Sequence, residues 1–158
     1  MTKPAHNNDN VVVIPPFDQH GNLPPGEHPC TWEQLENRYA TTAHRIRLLN
    51  GLQAALTNLK QAGCQTIWIN GSFISHQPRP NDYDACWDLD QVDPDALEPT
   101  LLDFRHPRSA MKRKYRGDLF IADLPATPHG ETFLEFFQRD RNNRHKGILR
   151  LDLVGFDP

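Results

Sequence analysis

One block constrains the fold more than any other part of the chain: Ile67-Trp68-Ile69-Asn70-Gly71-Ser72-Phe73, a proline-punctuated loop, then Asp82-Tyr83-Asp84-Ala85-Cys86-Trp87-Asp88-Leu89. An apolar run rich in isoleucine and tryptophan, a glycine, and a second run with period-two alternation predict strand, turn, strand. Successive side chains of a strand point to opposite faces, so Tyr83, Ala85, Trp87 and Leu89 share one face and Asp82, Asp84, Cys86 and Asp88 the other. One face packs and the other carries charge. Ile67 to Ile69 is apolar without alternation, which predicts a central strand, from about Gln65 to Asn70, buried on both sides.

Two carboxylates on one strand face have backbones about 6.6 Å apart, at about 3.3 Å per residue, so Asp82 and Asp84 can converge on one divalent cation. Unneutralised, such charges repel by roughly 4 kcal/mol at about 4 Å and an effective dielectric of about 20. Magnesium favours oxygen ligands and keeps phosphate and water in its shell, which points to a nucleoside triphosphate as the remaining ligand. Gly71 and Ser72 suit the same ligand. Glycine at a strand end lets backbone N–H groups approach a phosphate, a short helix after it adds its positive end, and the serine hydroxyl adds a donor.

The pattern of an apolar residue, Gly71, Ser72, a gap of about ten residues and then Asp82-Tyr83-Asp84 resembles the nucleotidyltransferase superfamily of the DNA polymerase β type. The resemblance extends to a family of small bacterial and phage nucleotidyltransferase-like domains. Its marks are Asn22 to Gly26, Thr31-Trp32-Glu33, Ala62-Gly63-Cys64, Phe133 to Gln138 and Lys146-Gly147-Ile148, so that it covers about Phe17 to Leu153. It implies an α/β (α+β) domain, a small mixed sheet with helices mainly on one face. It also implies a third carboxylate from a later strand. Asp152 is the expected one, because Ile148-Leu149-Arg150-Leu151-Asp152-Leu153 alternates cleanly, whereas Asp103, Asp118 and Asp123 lack such a context. The second Asp-x-Asp, Asp88 and Asp90, lies too far beyond Gly71 to share a triphosphate with it.

Under this resemblance Asp82, Asp84 and Asp152 are the catalytic and metal-holding residues, magnesium or manganese is the cofactor, and the triphosphate is the substrate. In-line displacement at the α-phosphorus would pass the nucleoside monophosphate to a hydroxyl of a protein, an RNA or a small molecule. The reading requires the three acids to share one cavity. Related minimal domains also serve as partners in toxin–antitoxin pairs, so the alternative is a non-catalytic, antitoxin-like or regulatory subunit that binds a partner protein.

A formal net charge of −3 and a pI near 6.2 argue against a generic polyanion binder. The local exception is Lys112-Arg113-Lys114-Tyr115-Arg116, where Lys112 and Lys114 are candidates for the triphosphate tail. Arg139, Arg141, Arg144 and Lys146 raise the same question more weakly. His76 is the histidine nearest the proposed chemistry and reads as a solvated loop residue. Three cysteines without Cys-x-x-Cys spacing, no signal peptide and no apolar run longer than Val11 to Ile14 predict a cytoplasmic protein without a membrane anchor.

With 158 residues the chain is expected to form one domain, residues 31–158, after a disordered start (1–10) and a Pro/Gly-rich surface arm (11–30) that opens with a short strand at Val11 to Ile14. Thr31 with Gln34 predicts a capping box opening a helix that carries Trp32, Leu35 and Tyr39. A longer helix from about Thr42 to Ala62 carries Leu49, Leu52, Leu56 and Leu59 and stops at Gly63. Ser109 to Leu119 is expected to be part helix and part strand, and Glu131 to Arg139 a helix burying Phe133, Leu134, Phe136 and Phe137 before the last strand.

Overall fold

A computed structural model describes residues 13–157. Five strands form one mixed sheet: β1 (Gly26–Cys30), β2 (Thr66–Asn70), β3 (Tyr83–Trp87), β4 (Gly117–Ile121) and β5 (Gly147–Asp152), in the spatial order β1-β5-β2-β3-β4. β2 is central and runs antiparallel to both β3 and β5, while β4 is parallel to β3 and β1 parallel to β5. The helices are α1 (Trp32–Tyr39), α2 (Ala43–Gln61), α3 (Ser109–Tyr115) and a single turn, α4 (Phe133–Phe136).

Local chemistry accounts for these boundaries. The Thr31 hydroxyl accepts the Gln34 amide and the Gln34 side chain accepts the Thr31 amide, closing the expected capping box of α1. Thr42 caps α2 by accepting from the Arg45 amide, and Gly63, at φ +100°, ends it. Leu48, Leu49, Leu52, Leu56 and Leu59 are buried from α2 against Ile67, Ile69, Tyr83, Ala85, Trp87, Leu119, Leu149 and Leu151 of the sheet. A smaller apolar layer covers the opposite face, where Cys86 and Ile148 pack with Ala122 and Phe137 beside Trp68, Phe120 and Phe133. The fold is therefore α/β, with α1, α2 and α3 on one face and only α4 on the other.

Several local expectations need correction. Residues 26–30 are not a surface arm but the edge strand β1, where Pro29 is tolerated because its missing N–H faces no neighbour. Val13 and Ile14 form no strand, while Val11, Val12 and the start expected to be disordered lie outside the described residues. The helix expected at Glu131 to Arg139 shortens to α4, and Phe136 is exposed rather than buried. The charged face expected of β3 is charged only at its start, since Cys86 is fully buried under α4. Burial pushes the Cys30 thiol up to about 12 and that of Cys64 to about 11, so both are chemically quiet. Among the described residues no helix is long and apolar enough to cross a membrane.

Gly51, in the middle of α2, shows how closely the layers meet. A Cβ there would lie 2.2 Å from the Tyr115 carbonyl oxygen at the end of α3, and the Tyr83 hydroxyl donates to the same oxygen at 2.6 Å. Helix propensity favours alanine over glycine by about 1 kcal/mol, yet the clash dominates here. Gly51→Ala is expected to destabilise the fold by about 1–3 kcal/mol, the usual cost of overpacking, measurable as a lower denaturation midpoint. A variant as stable as the wild type would mean that α3 does not rest on α2 in this way.

Candidate active site

The site is built on the turn that ends β2. Gly71 has φ +90°, and a Cβ on it would lie 3.0 Å from the Asp84 carboxylate oxygen Oδ2 and 3.2 Å from the Asp84 amide nitrogen. Only glycine both adopts that backbone and admits the carboxylate. The short helix expected after it is a three-residue 3-10 turn, Ser72–Ile74, too short for a useful dipole. Ser72 is half-buried, and among the described residues its hydroxyl has no hydrogen-bond partner.

The loop beyond the turn is held by α1 and α2. Arg45, buried in the first turn of α2, donates to the carbonyls of Phe73 (2.6 Å), Ser75 (3.3 Å) and Gln77 (2.5 Å). Its guanidinium lies 5.1 Å from the centre of the Phe73 ring. The Tyr39 hydroxyl donates to the Ile74 carbonyl at 2.9 Å, and the His44 imidazole hydrogen-bonds the Pro80 carbonyl. Sequence reasoning missed Arg45, because one arginine in an amphipathic helix reads as surface until the loop wrapped around it is seen. His76 packs edge-on to Phe17 and stands against Gly21 rather than against the acids.

Strand register assembles the charged row. Asn70 pairs with Asp84 across β2 and β3, and Asp84 with Asp118 across β3 and β4, so the three side chains stand side by side on one face, about 4.8 Å apart per strand. Asn70 is buried with its Oδ1 unpartnered. Burial pushes the Asp84 carboxyl up to about 6, with the Asp82 and Asp118 charges adding to the rise and Lys146 and Lys112 opposing it. Asp82, just before β3, is raised by burial and by Asp118, against the pull of Lys112 and Arg108. Asp118 is buried and ion-paired with Arg108 Nε at 2.9 Å and Lys112 Nζ at 3.6 Å.

Asp152 is not part of this row. It pairs with Thr66 at the opposite end of β2 from Asn70, and its carboxylate accepts the Val154 amide at 2.9 Å. Of the expected set Asp82, Asp84 and Asp152, the structure therefore brings only Asp82 and Asp84 together, and the acid in register beside Asp84 is Asp118. Asp88 lies at the far end as well, where its amide bonds the Thr66 carbonyl.

Asn70 and Asp84 of this row open into a cleft of about 810 Å³ that Gly71, Ser72, Asp82, Arg139, Arg141 and Lys146 line among others, within the range of small-ligand sites, while the buried Asp118 does not line it. Arg139 is paired with Glu131 at 3.6 Å, whereas among the described residues Arg141 and Lys146 have no ion-pair partner. Four carboxylates, Asp82, Asp84, Glu131 and Asp140, share the walls, so a polyphosphate enters favourably only with added positive charge. The expected tail residues Lys112 and Lys114 do not line this cleft: Lys112 pairs with Asp118 and Lys114 with Glu98. Among the described residues no three His, Cys, Asp or Glu side chains stand close enough to form a ready-made metal cage.

A family model described as "Family of unknown function (DUF6932)" matches residues 15–152. No curated protein and no solved structure matches the chain.

Proposed function

The chain belongs to the family of unknown function DUF6932, and we propose that it is a metal-dependent nucleotidyltransferase, moving a nucleoside monophosphate from a nucleoside triphosphate to a hydroxyl acceptor. The observation that carries the reading is the row Asn70, Asp84, Asp118, set by register beside Gly71, with Asn70 and Asp84 lining the cleft. Acceptor-only oxygens crowd together there, with Asn70 Oδ1 unpartnered and both Asp84 and Asp82 destabilised as anions. A hard divalent cation relieves that crowding, and the donor set is the kind magnesium or manganese takes.

Asp82 and Asp84 would hold the cation, with Asp118 as the third carboxylate acting on both. When bound, the cation supplies charge neutralisation of the triphosphate and of the developing pyrophosphate. The chain's own groups do the rest. Amides of the Gly71 turn and the Ser72 hydroxyl hold phosphate oxygens, while Arg141 and Lys146 attract the tail. Asp82, which also lines the neighbouring hollow, would accept the proton of the attacking hydroxyl. The acceptor oxygen bonds to the α-phosphorus, the bond from that phosphorus to the β-phosphate bridge breaks, and pyrophosphate leaves with the electron pair.

Calorimetric titration of each triphosphate with magnesium into wild type, Asp84→Asn and Asp152→Asn tests this, followed by transfer of labelled nucleotide. Binding is expected to fall at least about tenfold in Asp84→Asn, as one lost charge-assisted ligand implies, and to persist in Asp152→Asn. Equal binding by wild type and Asp84→Asn would reject the site; loss in Asp152→Asn would restore the original third acid. One observation favours a second reading, a regulatory subunit that binds nucleotide without turnover: Asp118 is already neutralised by Arg108 and Lys112. Magnesium-dependent binding with no labelled product would select it.

A further inference from the structure

Asp82 lines a second hollow besides the cleft. There α2 and α3 enclose about 250 Å³ between His44, Arg47, Asn81, Asp82, Lys112 and Arg116. A third hollow of about 290 Å³, bounded by Asn50, Gly51 and Lys114, shares Arg47 and Arg116 with it. Sharing these two side chains, the hollows lie next to each other along α2 and trace a groove that reaches Gly51, where α2 meets the α3 carbonyl. Among the described residues Asp82 is the one carboxylate that lines either hollow. Among the described residues the exposed Arg47 and Arg116 have no ion-pair partner. In a chain of net charge −3, so much unpaired cation beside one acid is a strong local segregation.

We propose that this groove binds the phosphate backbone of a single-stranded nucleic acid and delivers its terminal hydroxyl to Asp82, so that acceptor and triphosphate approach that carboxylate from separate hollows. The inference rests on the transferase reading for the chemistry at Asp82. Groove shape and lining favour this class of acceptor. From His44 to Gly51 the helix rises roughly 10 Å at about 1.5 Å per residue, long enough for consecutive phosphates of a single strand to lie along it. Guanidinium forks match phosphodiester oxygens. Among the described residues Leu48 is the only large apolar side chain in the lining, too little for a protein partner, whose interface needs an apolar centre. Among the described residues no Phe, Tyr or Trp lines the groove and the His44 ring is engaged with the Pro80 carbonyl, so recognition is of the backbone and tolerant of sequence.

Fluorescence anisotropy of an end-labelled single-stranded oligonucleotide over a salt series tests the groove in the wild type and in the double variant Arg47→Gln, Arg116→Asn. Asparagine is chosen because Arg116 sits at φ +65°, a conformation asparagine tolerates. The double variant is expected to bind the oligonucleotide about tenfold or more weakly, with a salt slope shallower by roughly one to two, at about 0.7 per phosphate contact. Calorimetric titration with magnesium and triphosphate should be unchanged by the two substitutions. Equal oligonucleotide affinity in both proteins, or wild-type binding that ignores salt, would overturn the proposal. So would a sugar phosphate that displaces the oligonucleotide at equal concentration. Triphosphate binding without oligonucleotide binding defeats the groove alone. Oligonucleotide binding through Arg47 and Arg116 without triphosphate binding supports the groove and defeats the transferase reading.

Discussion

Asp84→Asn is expected to melt above the wild type at pH 8 even though it loses the magnesium-dependent ligand. The Asp84 carboxyl is pushed up to about 6 by burial and by the Asp82 and Asp118 charges, against an ordinary 3.8. Its folded pKa thus exceeds its unfolded one, so the folded state binds the extra proton. Stability from this group is fully present below about pH 4 and is lost as pH rises through 6. At neutral pH the buried anion costs roughly 2–3 kcal/mol, at about 1.4 kcal/mol per pKa unit. Asparagine removes the charge while keeping the shape, so the variant should gain about 5 °C or more at pH 8, at about 2–4 °C per kcal/mol. The gain should shrink to nothing near pH 4. Thermal scans of both proteins at pH 4, 6 and 8 measure it. A variant that melts lower at pH 8, or by the same margin at every pH, would show that the carboxylate is a structural ligand rather than a strained one.

That outcome bears on function because a fold retains a costly anion only where something else benefits from it. Gly71 points the same way. A side chain at φ +90° would be strained and would press on Asp84 Oδ2 at 3.0 Å, so turn and carboxylate are matched to each other rather than separately tolerated.

Much of this arrangement is legible in the chain because it depends on short-range pattern. The period-two run from Tyr83 to Trp87, the glycine after Asn70 and the leucines of α2 each identify their element without reference to the rest of the fold. The third acid depends on strand order and register, which no local pattern encodes. Asp152 has the cleaner alternation, but β5 and β3 both run antiparallel to β2 and therefore share a direction. An acid at the end of β5 must then lie far from acids at the start of β3. Asp118 stands second in β4, parallel to β3 and in register with Asp84, although its strand begins with a glycine and follows a basic helix that obscures it. Direction of pairing decides the matter where alternation misleads. The strand β1 was hidden for a related reason, since Pro29 and Gly26 read as turn residues until the parallel edge of β5 supplies a partner.

Arg45→Met should produce the largest loss of stability of any substitution near the site. Arg45 is 4% exposed, and among the described residues no carboxylate pairs with it; the three carbonyls of Phe73, Ser75 and Gln77 satisfy it instead. Methionine fills part of the volume and none of the bonding, leaving the buried Phe73 carbonyl and the part-buried Ser75 and Gln77 carbonyls without this donor. At roughly 1–3 kcal/mol for each buried acceptor left unpaired, the expected loss is about 3–5 kcal/mol, or roughly 10 °C. Lysine should recover part of it, because an ammonium reaches fewer of the three oxygens than a planar fork does. Hydrogen exchange separates release of the loop from global weakening: the Ile74 and Ser75 amides, bonded to the Gly71 and Ser72 carbonyls, should exchange far faster in the variant than amides in the middle of α2. Triphosphate binding should fall with them, since this side chain makes three of the hydrogen bonds that hold the loop beyond Gly71 and Ser72. An Arg45→Met protein that melts within about a degree of the wild type, against the roughly 10 °C expected, or whose loop amides stay protected, would mean that Tyr39 and His44 suffice to hold the loop.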